Sequence, residues 1–207
     1  DFVAVLLYRF SDIKDNETAL ILDPASGECS LLKATKKIFG EGHRYVGIDV
    51  DPDAVRRTEK EFEIIHSDAI LPQGVKKASD SYWRTKLNNI DVVIANPPWS
   101  SEKIYEKHQL AEAGFQMITG QYDSYVLFIE LAYKILKEEG IMAFIIPDSL
   151  FDAQNESLRK FLVENTQIKA IARLGEKIFD EVNRSTTVII CKKHAPDDNS
   201  MTECFRL

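Results

Sequence analysis

One short apolar run, Val92 to Ala95, constrains the fold of this chain more than any other stretch. It is uninterrupted and mostly β-branched, as expected of a central parallel strand that is covered on both faces. Pro97 and Pro98 end the strand, because proline cannot donate to a β-ladder and disfavours helix at the residue before it. Asn96 is therefore predicted at the carboxyl end of a central strand, where open α/β sheets bind ligands. An ordinary proline turn remains the alternative for this stretch alone.

Other apolar runs alternate with helix-like segments, which predicts a mostly parallel sheet with helices on both faces. The predicted strands are 19–22, 45–49, 62–65, 92–95, 141–146, 168–174 and 186–191. The predicted helices are 28–39, 51–60, 124–138 and 155–164, with Gly140 ending the third. The last strand is expected to run antiparallel at the far side of the sheet. Residues 73–89 suit a loop or a short peripheral helix, 100–123 a long functional or disordered connection, and 197 onward a polar tail.

Composition limits the domain count and the partners. The 207 residues, 44% of them hydrophobic, suit a single domain with a full core that covers 1–207. A net charge of -7 gives no global attraction to nucleic acid, so phosphate contacts would need a local patch or further parts of the protein. The chain begins at Asp1 rather than Met and is expected to be a piece of a longer protein. Its apolar start, residues 2–8, is too short to span a bilayer and should pack on the domain or on whatever precedes it.

The cysteines and histidines predict neither a metal site nor a disulfide framework. The 3 cysteines are scattered without paired spacing, and the 4 histidines share no ligand spacing. This usage is typical of a reducing environment, so a cytoplasmic location is expected.

Three acidic residues close predicted strands and are candidates for ligand binding. The loop from Asp23 to Ser30 is rich in small residues and leads into a helix N-terminus, which suits a carboxylate or a phosphate, although an ordinary βα turn is the alternative. Asp49 ends the second strand, where it could accept hydrogen bonds from ribose hydroxyls, with Val50 flanking a purine. Asp68 follows the third strand and could accept from an exocyclic amino group such as that of adenine, although alone it suits a turn.

Together these motifs resemble the S-adenosylmethionine-dependent amino-methyltransferases, most closely the N6-adenine DNA methyltransferases of restriction-modification systems. The motifs are Asp23-Pro24-Ala25-Ser26-Gly27, Asp49, Asp68 and Asn96-Pro97-Pro98-Trp99. The likeness continues through 141–147, 177–182 and 186–190 and covers nearly the whole chain. It implies an α/β, Rossmann-like class I methyltransferase fold with a mostly parallel seven-stranded sheet and an antiparallel last strand.

The resemblance also implies the roles of individual residues. Those implied for S-adenosylmethionine binding are Asp23, Pro24, Ala25, Gly27, Asp49, Val50, Asp68, Ala69 and Asn96. Those implied for catalysis are Asn96, Pro97, Pro98, Trp99 and Phe179. The Asn96 side-chain oxygen and the Pro97 carbonyl would accept from the adenine amino group, while Trp99 and Phe179 would stack on the flipped base. A core phenylalanine is the alternative for Phe179.

One residue departs from the family pattern. Cys29 stands where the family has a second glycine, and its Cβ is expected to narrow the approach to the methionine part of the cofactor.

No helix-turn-helix, zinc finger or recognition repeat is visible, so DNA recognition is expected from a C-terminal target-recognition region or a specificity subunit. Two alternatives remain: an amino-methyltransferase acting on RNA or protein glutamine, and a non-catalytic module of a larger complex. A nicotinamide oxidoreductase is disfavoured, because its glycine fingerprint is absent.

Overall fold

One mixed β-sheet organises the structure, a computed structural model that describes residues 1–13, 17–99, 105–118, 122–175 and 185–206. Within these ranges the sheet has eight strands in the order β3-β2-β1-β4-β5-β7-β6-β8. The strands are β1 Leu20–Asp23, β2 Arg44–Asp49, β3 Glu63–His66, β4 Ile90–Ala95, β5 Leu136–Pro147, β6 Gln167–Gly175, β7 Thr186–Lys192 and β8 Glu203–Arg206. The helices are α1 Phe2–Phe10, α2 Ser30–Phe39, α3 Pro52–Thr58, α4 Ser79–Leu87, α5 Lys107–Glu112, α6 Tyr125–Ile135 and α7 Glu156–Asn165.

Strand direction confirms the predicted mostly parallel sheet but corrects two details. Strands β1 to β5 are mutually parallel, and β7 is antiparallel to both of its neighbours, β5 and β6. The antiparallel strand therefore lies inside the sheet, not at its far side. It is also not the last strand, because β8 follows it and pairs in parallel with β6 at the edge. The predicted seven strands become eight because the expected polar tail contains this short, half-exposed strand.

Different helices cover the two faces of the sheet, and alternating side chains of the central strands pack against them. Ile21 and Ile94 belong to a core cluster with Leu7 of α1 and Leu32 of α2. The residues that follow them in the strands, such as Leu22, belong to a second cluster. Its helical members come from α4, α5, α6 and α7. The apolar runs are buried on both faces, as predicted for central parallel strands.

Some helix boundaries differ from those predicted. Gly140 does not end α6, which stops at Ile135, and β5 begins at Leu136 because Leu136 pairs with Ile90 of β4. Residues 73–89 contain the regular helix α4, whose Trp83 is fully buried instead of peripheral. The start of the chain packs on the domain as expected, as helix α1. No helix among the described ranges is long and apolar enough to cross a membrane.

The strand order places a topological switch point between β1 and β4. From β1 the chain moves outward through β2 to β3, then crosses back to β4 on the other side of β1. Loops that leave the carboxyl ends of β1 and β4 therefore diverge and open a crevice between them. Ligands of open α/β sheets bind in such crevices.

Candidate functional site

The predicted strand-end residues come together along one edge of the sheet. Asp23 is the last residue of β1 and is level with Gly47 of β2. Asp49 is the last residue of β2 and is level with His66, the last residue of β3. Asn96 follows β4, the other neighbour of β1. The sheet thus groups side chains that are far apart in the sequence.

The loop after β1 is folded against the end of β2 by backbone hydrogen bonds. The Ala25 N–H donates to Oδ1 of Asp23 at 3.1 Å, and the Ser26 N–H donates to the Ile48 carbonyl at 3.0 Å. The Gly27 N–H donates to Oδ2 of Asp49 at 2.6 Å. The loop therefore has one defined conformation in which it connects the two acidic strand ends.

Two glycines allow this conformation and leave room for a ligand. A Cβ at Gly47 would lie 2.6 Å from Ser26 Oγ, so only glycine lets the loop approach the strand this closely. Gly27 has a φ of +47°, and a Cβ there would meet nothing within 4 Å. The Ser26 hydroxyl is buried and has no hydrogen-bond partner among the described residues. An open surface at Gly27 with polar groups beneath it fits a cofactor.

Cys29 does not narrow this site, contrary to the expectation from sequence. Its side chain is fully buried and packs in the core cluster that includes Leu32. A side chain that lined the crevice would be exposed in a ligand-free structure. Cys29 has a φ of 56°, which explains why glycine suits this position, and its N–H donates to the Ser26 carbonyl at 2.7 Å.

Asp49 has both carboxylate oxygens engaged by backbone donors. In addition to Gly27, the Asp51 N–H donates to its Oδ1 at 2.9 Å. These bonds fix the orientation of the carboxylate, and each oxygen retains a lone pair for a further donor such as a ribose hydroxyl. Val50 beside it is 61% exposed and is free to contact a ligand. Asp51 caps α3 by accepting from the Asp53 N–H at 2.9 Å.

Asp68 engages only one of its oxygens within the described ranges. Oδ1 accepts from the N–H groups of Ile70 and Leu71, at 2.7 and 3.1 Å, and from the Tyr105 hydroxyl at 3.2 Å. The adjacent Ala69 is buried and its carbonyl accepts from Trp83 Nε1 at 2.7 Å. Its side chain therefore offers little surface to a ligand, and the implied part of Ala69 in cofactor binding stays a prediction. Pro24 after β1 is buried too, and Ala25 is partly exposed.

The tetrapeptide after β4 presents its amide and fixes its indole. Asn96 is exposed and Pro97 is buried. The Pro98 carbonyl accepts from the Ser124 hydroxyl. Trp99 is half-buried against the α1 and α2 side of the core, and its Nε1 donates to the Ile145 carbonyl at 3.2 Å.

Phe179 lies outside the described residues, and its stacking role stays a prediction.

Sequence reasoning missed two residues of the site, Tyr105 and Ser124. Neither belongs to a recognisable motif, because each acts on a residue far away in the chain. Among the described residues no group of His, Cys, Asp and Glu side chains could hold a metal ion.

Burial changes the protonation of Asp23. Its side chain is 1% exposed, and this burial raises its pKa to about 7, with a further increase from the Asp49 charge and a decrease from the Ala25 N–H. The folded protein thus retains a proton that the unfolded chain, with a pKa of 3.8, loses at lower pH. The stability contribution of this group is present below pH 4 and falls as the pH rises from about 4 to about 7.

We therefore expect the free energy of unfolding of the ligand-free protein to fall with pH in this window by up to about 1.4 kcal/mol per pH unit from Asp23 alone. Asp23→Asn should remove this component, because the amide has the same shape and does not titrate. Urea unfolding of both proteins at pH 5, 6 and 7 measures it, since other titrating groups cancel in the difference. Equal pH dependence in the two proteins would contradict the assignment.

The comparisons with known proteins agree with this architecture. The Type II methyltransferase M.VspI of Vibrio sp. is 29% identical over 196 residues, which cover 92% of this chain and 46% of the relative. M.TthHB8I of Thermus thermophilus is 26% identical over 166 residues, or 75% of this chain and 36% of the relative. The type I restriction-modification methyltransferase subunit of Streptococcus thermophilus has the same fold, with a TM-score of 0.76 and 19% identity over 99% of this chain and 45% of that one.

A protein described as a class I S-adenosylmethionine-dependent methyltransferase of Listeria monocytogenes also superimposes, with a TM-score of 0.73 and 23% identity over 99% of this chain and 63% of that one. The fold is thus that of the class I methyltransferases, as expected from sequence. The chain spans less than half the length of the two curated relatives described. Residues 43–179 match the sequence profile of the Eco57I restriction-modification methylase family, and the chain belongs to that family.

Proposed function

We propose that this chain is the catalytic domain of an adenine-specific DNA methyltransferase of a restriction-modification or related defence system. It transfers a methyl group from S-adenosylmethionine to the N6 amino group of a flipped adenine. The observation that carries the proposal is the arrangement at one sheet edge. On one side of the switch point, carboxylates end β1 and β2 and a third carboxylate follows β3. On the other side, an exposed amide between a buried strand and a buried proline follows β4.

S-adenosylmethionine is the cofactor and supplies an activated methyl group on its sulfonium. The open surface at Gly27 receives it, beside the loop that Asp23 orients. Asp49 accepts from the ribose hydroxyls, and Val50 covers the purine. Oδ2 of Asp68, which accepts from none of the described residues, accepts from the adenine amino group. These roles fit the described residues, because Val50 is exposed and Oδ2 of Asp68 accepts no hydrogen bond from them.

The amide of Asn96 prepares the acceptor nitrogen. An aromatic amino group is a poor nucleophile, because its lone pair is delocalised into the ring. Hydrogen bonds from its two N–H groups to the Asn96 side-chain oxygen and the Pro97 carbonyl favour a pyramidal nitrogen whose lone pair points at the methyl group. No strongly basic side chain is required.

Aromatic side chains hold the base after it has left the duplex. Trp99 forms one face of the base pocket in this proposal, and Phe179 forms the other. Stacking contributes about 1–3 kcal/mol per base, which offsets part of the unstacking free energy. The bond from Trp99 Nε1 to Ile145 restricts the rotamer of the indole and supports a fixed stacking surface.

Recognition of the DNA sequence resides outside this chain. We propose that residues 1–207 are one catalytic domain of a longer protein and that a C-terminal target-recognition region or a specificity subunit completes it. The net charge of -7 supports this division, because such a domain has little general affinity for phosphates.

A methylation assay with the full-length protein tests the proposal. Labelled S-adenosylmethionine is offered with adenine-containing duplex DNA, and parallel reactions contain RNA or a glutamine-containing protein substrate. We expect label only in DNA, recovered as N6-methyladenine after digestion. Label in RNA or protein would identify the other amino-methyltransferase types. Calorimetry without binding of S-adenosylmethionine would identify a non-catalytic module.

A further inference from the structure

The Asp68 carboxylate is held in an asymmetric way that the motif alone does not explain. Three donors converge on Oδ1: two backbone N–H groups and the Tyr105 hydroxyl. Oδ2 accepts no hydrogen bond from any residue that the structure describes. The two N–H groups belong to the turn that Asp68 itself begins. Only Tyr105 comes from a distant part of the chain, 37 residues later.

Tyr105 is well placed to act as a permanent donor. Its ring is half-buried against the core cluster on the α4 and α6 side of the sheet. Burial raises the pKa of Tyr105 well above its usual value, and the negative charge of Asp68 raises it further. The phenol is therefore protonated at any working pH and can only donate to the carboxylate.

The segment that carries Tyr105 is fastened to the rest of the domain, so that the hydroxyl is held in place. Leu110 of α5 is fully buried in the same core cluster. The Ala113 carbonyl accepts from the Ser79 N–H at 3.0 Å. Three residues further on, the N–H groups of Gln116 and Met117 donate to the buried Glu130 carboxylate, at 2.7 and 2.9 Å.

We propose that Tyr105 is a positioning residue for cofactor selection. By occupying Oδ1 of Asp68, its hydroxyl orients the carboxylate so that Oδ2 faces the exocyclic amino group of the cofactor's adenine. The inference rests on the proposed function, because it requires that Asp68 binds this amino group. It also links the segment after the Asn96 tetrapeptide to the cofactor side of the crevice.

Removal of the hydroxyl alone tests the inference. In the full-length protein, Tyr105→Phe should raise both the dissociation constant and the KM of S-adenosylmethionine about tenfold, because an aligned, charged hydrogen bond is lost. The kcat at saturating cofactor should stay within about twofold. The matched control is Tyr45→Phe, which deletes a hydroxyl that donates to the Gly40 carbonyl at 2.5 Å, away from the strand ends that form the site.

Two further measurements separate orientation of Asp68 from a general structural role. S-inosylhomocysteine, in which a carbonyl oxygen replaces the amino group of S-adenosylhomocysteine, should bind Tyr105→Phe and wild type equally well. In an Asp68→Asn background, adding Tyr105→Phe should change S-adenosylmethionine affinity by less than about twofold, because the two residues act together.

The outcomes distinguish the inference from the function on which it rests. Unchanged cofactor affinity of Tyr105→Phe would overturn the inference while leaving the proposed function intact. An equal loss with and without Asp68→Asn, or an equal loss for the inosine compound, would also overturn it, since the tyrosine would then only support the fold. Absence of S-adenosylmethionine binding by the wild-type protein would overturn both.

Discussion

Asn96→Ala should lower the rate of methyl transfer about 10²–10³-fold while changing the affinity for S-adenosylmethionine by less than about threefold. Removing one preorganised hydrogen-bonding group at a reacting centre has an effect of this size. Asn96 is exposed, and its side chain makes no hydrogen bond to a residue that the structure describes. Its loss should therefore not disturb the fold. Single-turnover kinetics at saturating cofactor measure the rate, and calorimetry measures the affinity.

Asn199→Ala provides the control for Asn96. Asn199 is also exposed, but it lies in the turn between β7 and β8. This turn is near the amino-terminal ends of β5 and β6, opposite to the carboxyl ends that form the candidate site. We expect wild-type rates for this variant. A rate for Asn96→Ala within about fivefold of wild type would contradict the proposed catalytic role of the amide.

Glu130→Ala should lower the free energy of unfolding by about 3–5 kcal/mol, because it removes the buried carboxylate that accepts from an ammonium group and from two backbone N–H groups. Glu130 is 1% exposed within α6. Its Oε1 accepts from the Lys134 ammonium at 2.6 Å in addition to the two backbone N–H groups that the carboxylate holds. Lys134 also donates to the Gly114 carbonyl at 2.5 Å. The variant would therefore release the backbone from 114 to 117 as well as break an ion pair.

Urea unfolding at neutral pH measures this loss, and a surface pair of the same spacing gives the control. Lys160 and Glu164 lie 3.8 Å apart with side chains that are 71% and 58% exposed. Glu164→Ala should cost at most about 0.5 kcal/mol, since exposed pairs contribute little. Similar losses for the two glutamate variants would show that Glu130 is not a structural anchor. Faster limited proteolysis within 105–118 of Glu130→Ala would support the expected local release.

The sheet and the strand-end residues were predictable because they depend on local patterns. A buried apolar run that ends in an acid or an amide specifies both the strand and the position of its last side chain. Asp49 and Asn96 illustrate this, since parallel strands bring such ends to one edge without any further information. The cap that Asp51 provides to α3 was predictable for the same reason.

The remaining features depend on pairing and packing between distant residues. Strand β8 has a polar sequence, and only its pairing with β6 makes it a strand. The end of α6 is set by the pairing of Leu136 with Ile90, which overrides the local signal of Gly140. The side-chain direction of Cys29 follows from the positive φ of its backbone. The bond between Tyr105 and Asp68 has no local signature at all.

The fastening of the chain between β4 and α6 has an entropic consequence. In its described parts, this connection is attached to the domain at Pro98 by Ser124, at Trp99 by Ile145, at Tyr105 by Asp68 and at 116–117 by Glu130. Ordering a residue of free backbone costs about 1–2 kcal/mol. For the attached positions that cost is met when the chain folds, before any ligand arrives. In the proposed function, cofactor and base would then bind to already ordered residues, so that more of their contact energy would remain for affinity and for alignment of the reacting atoms.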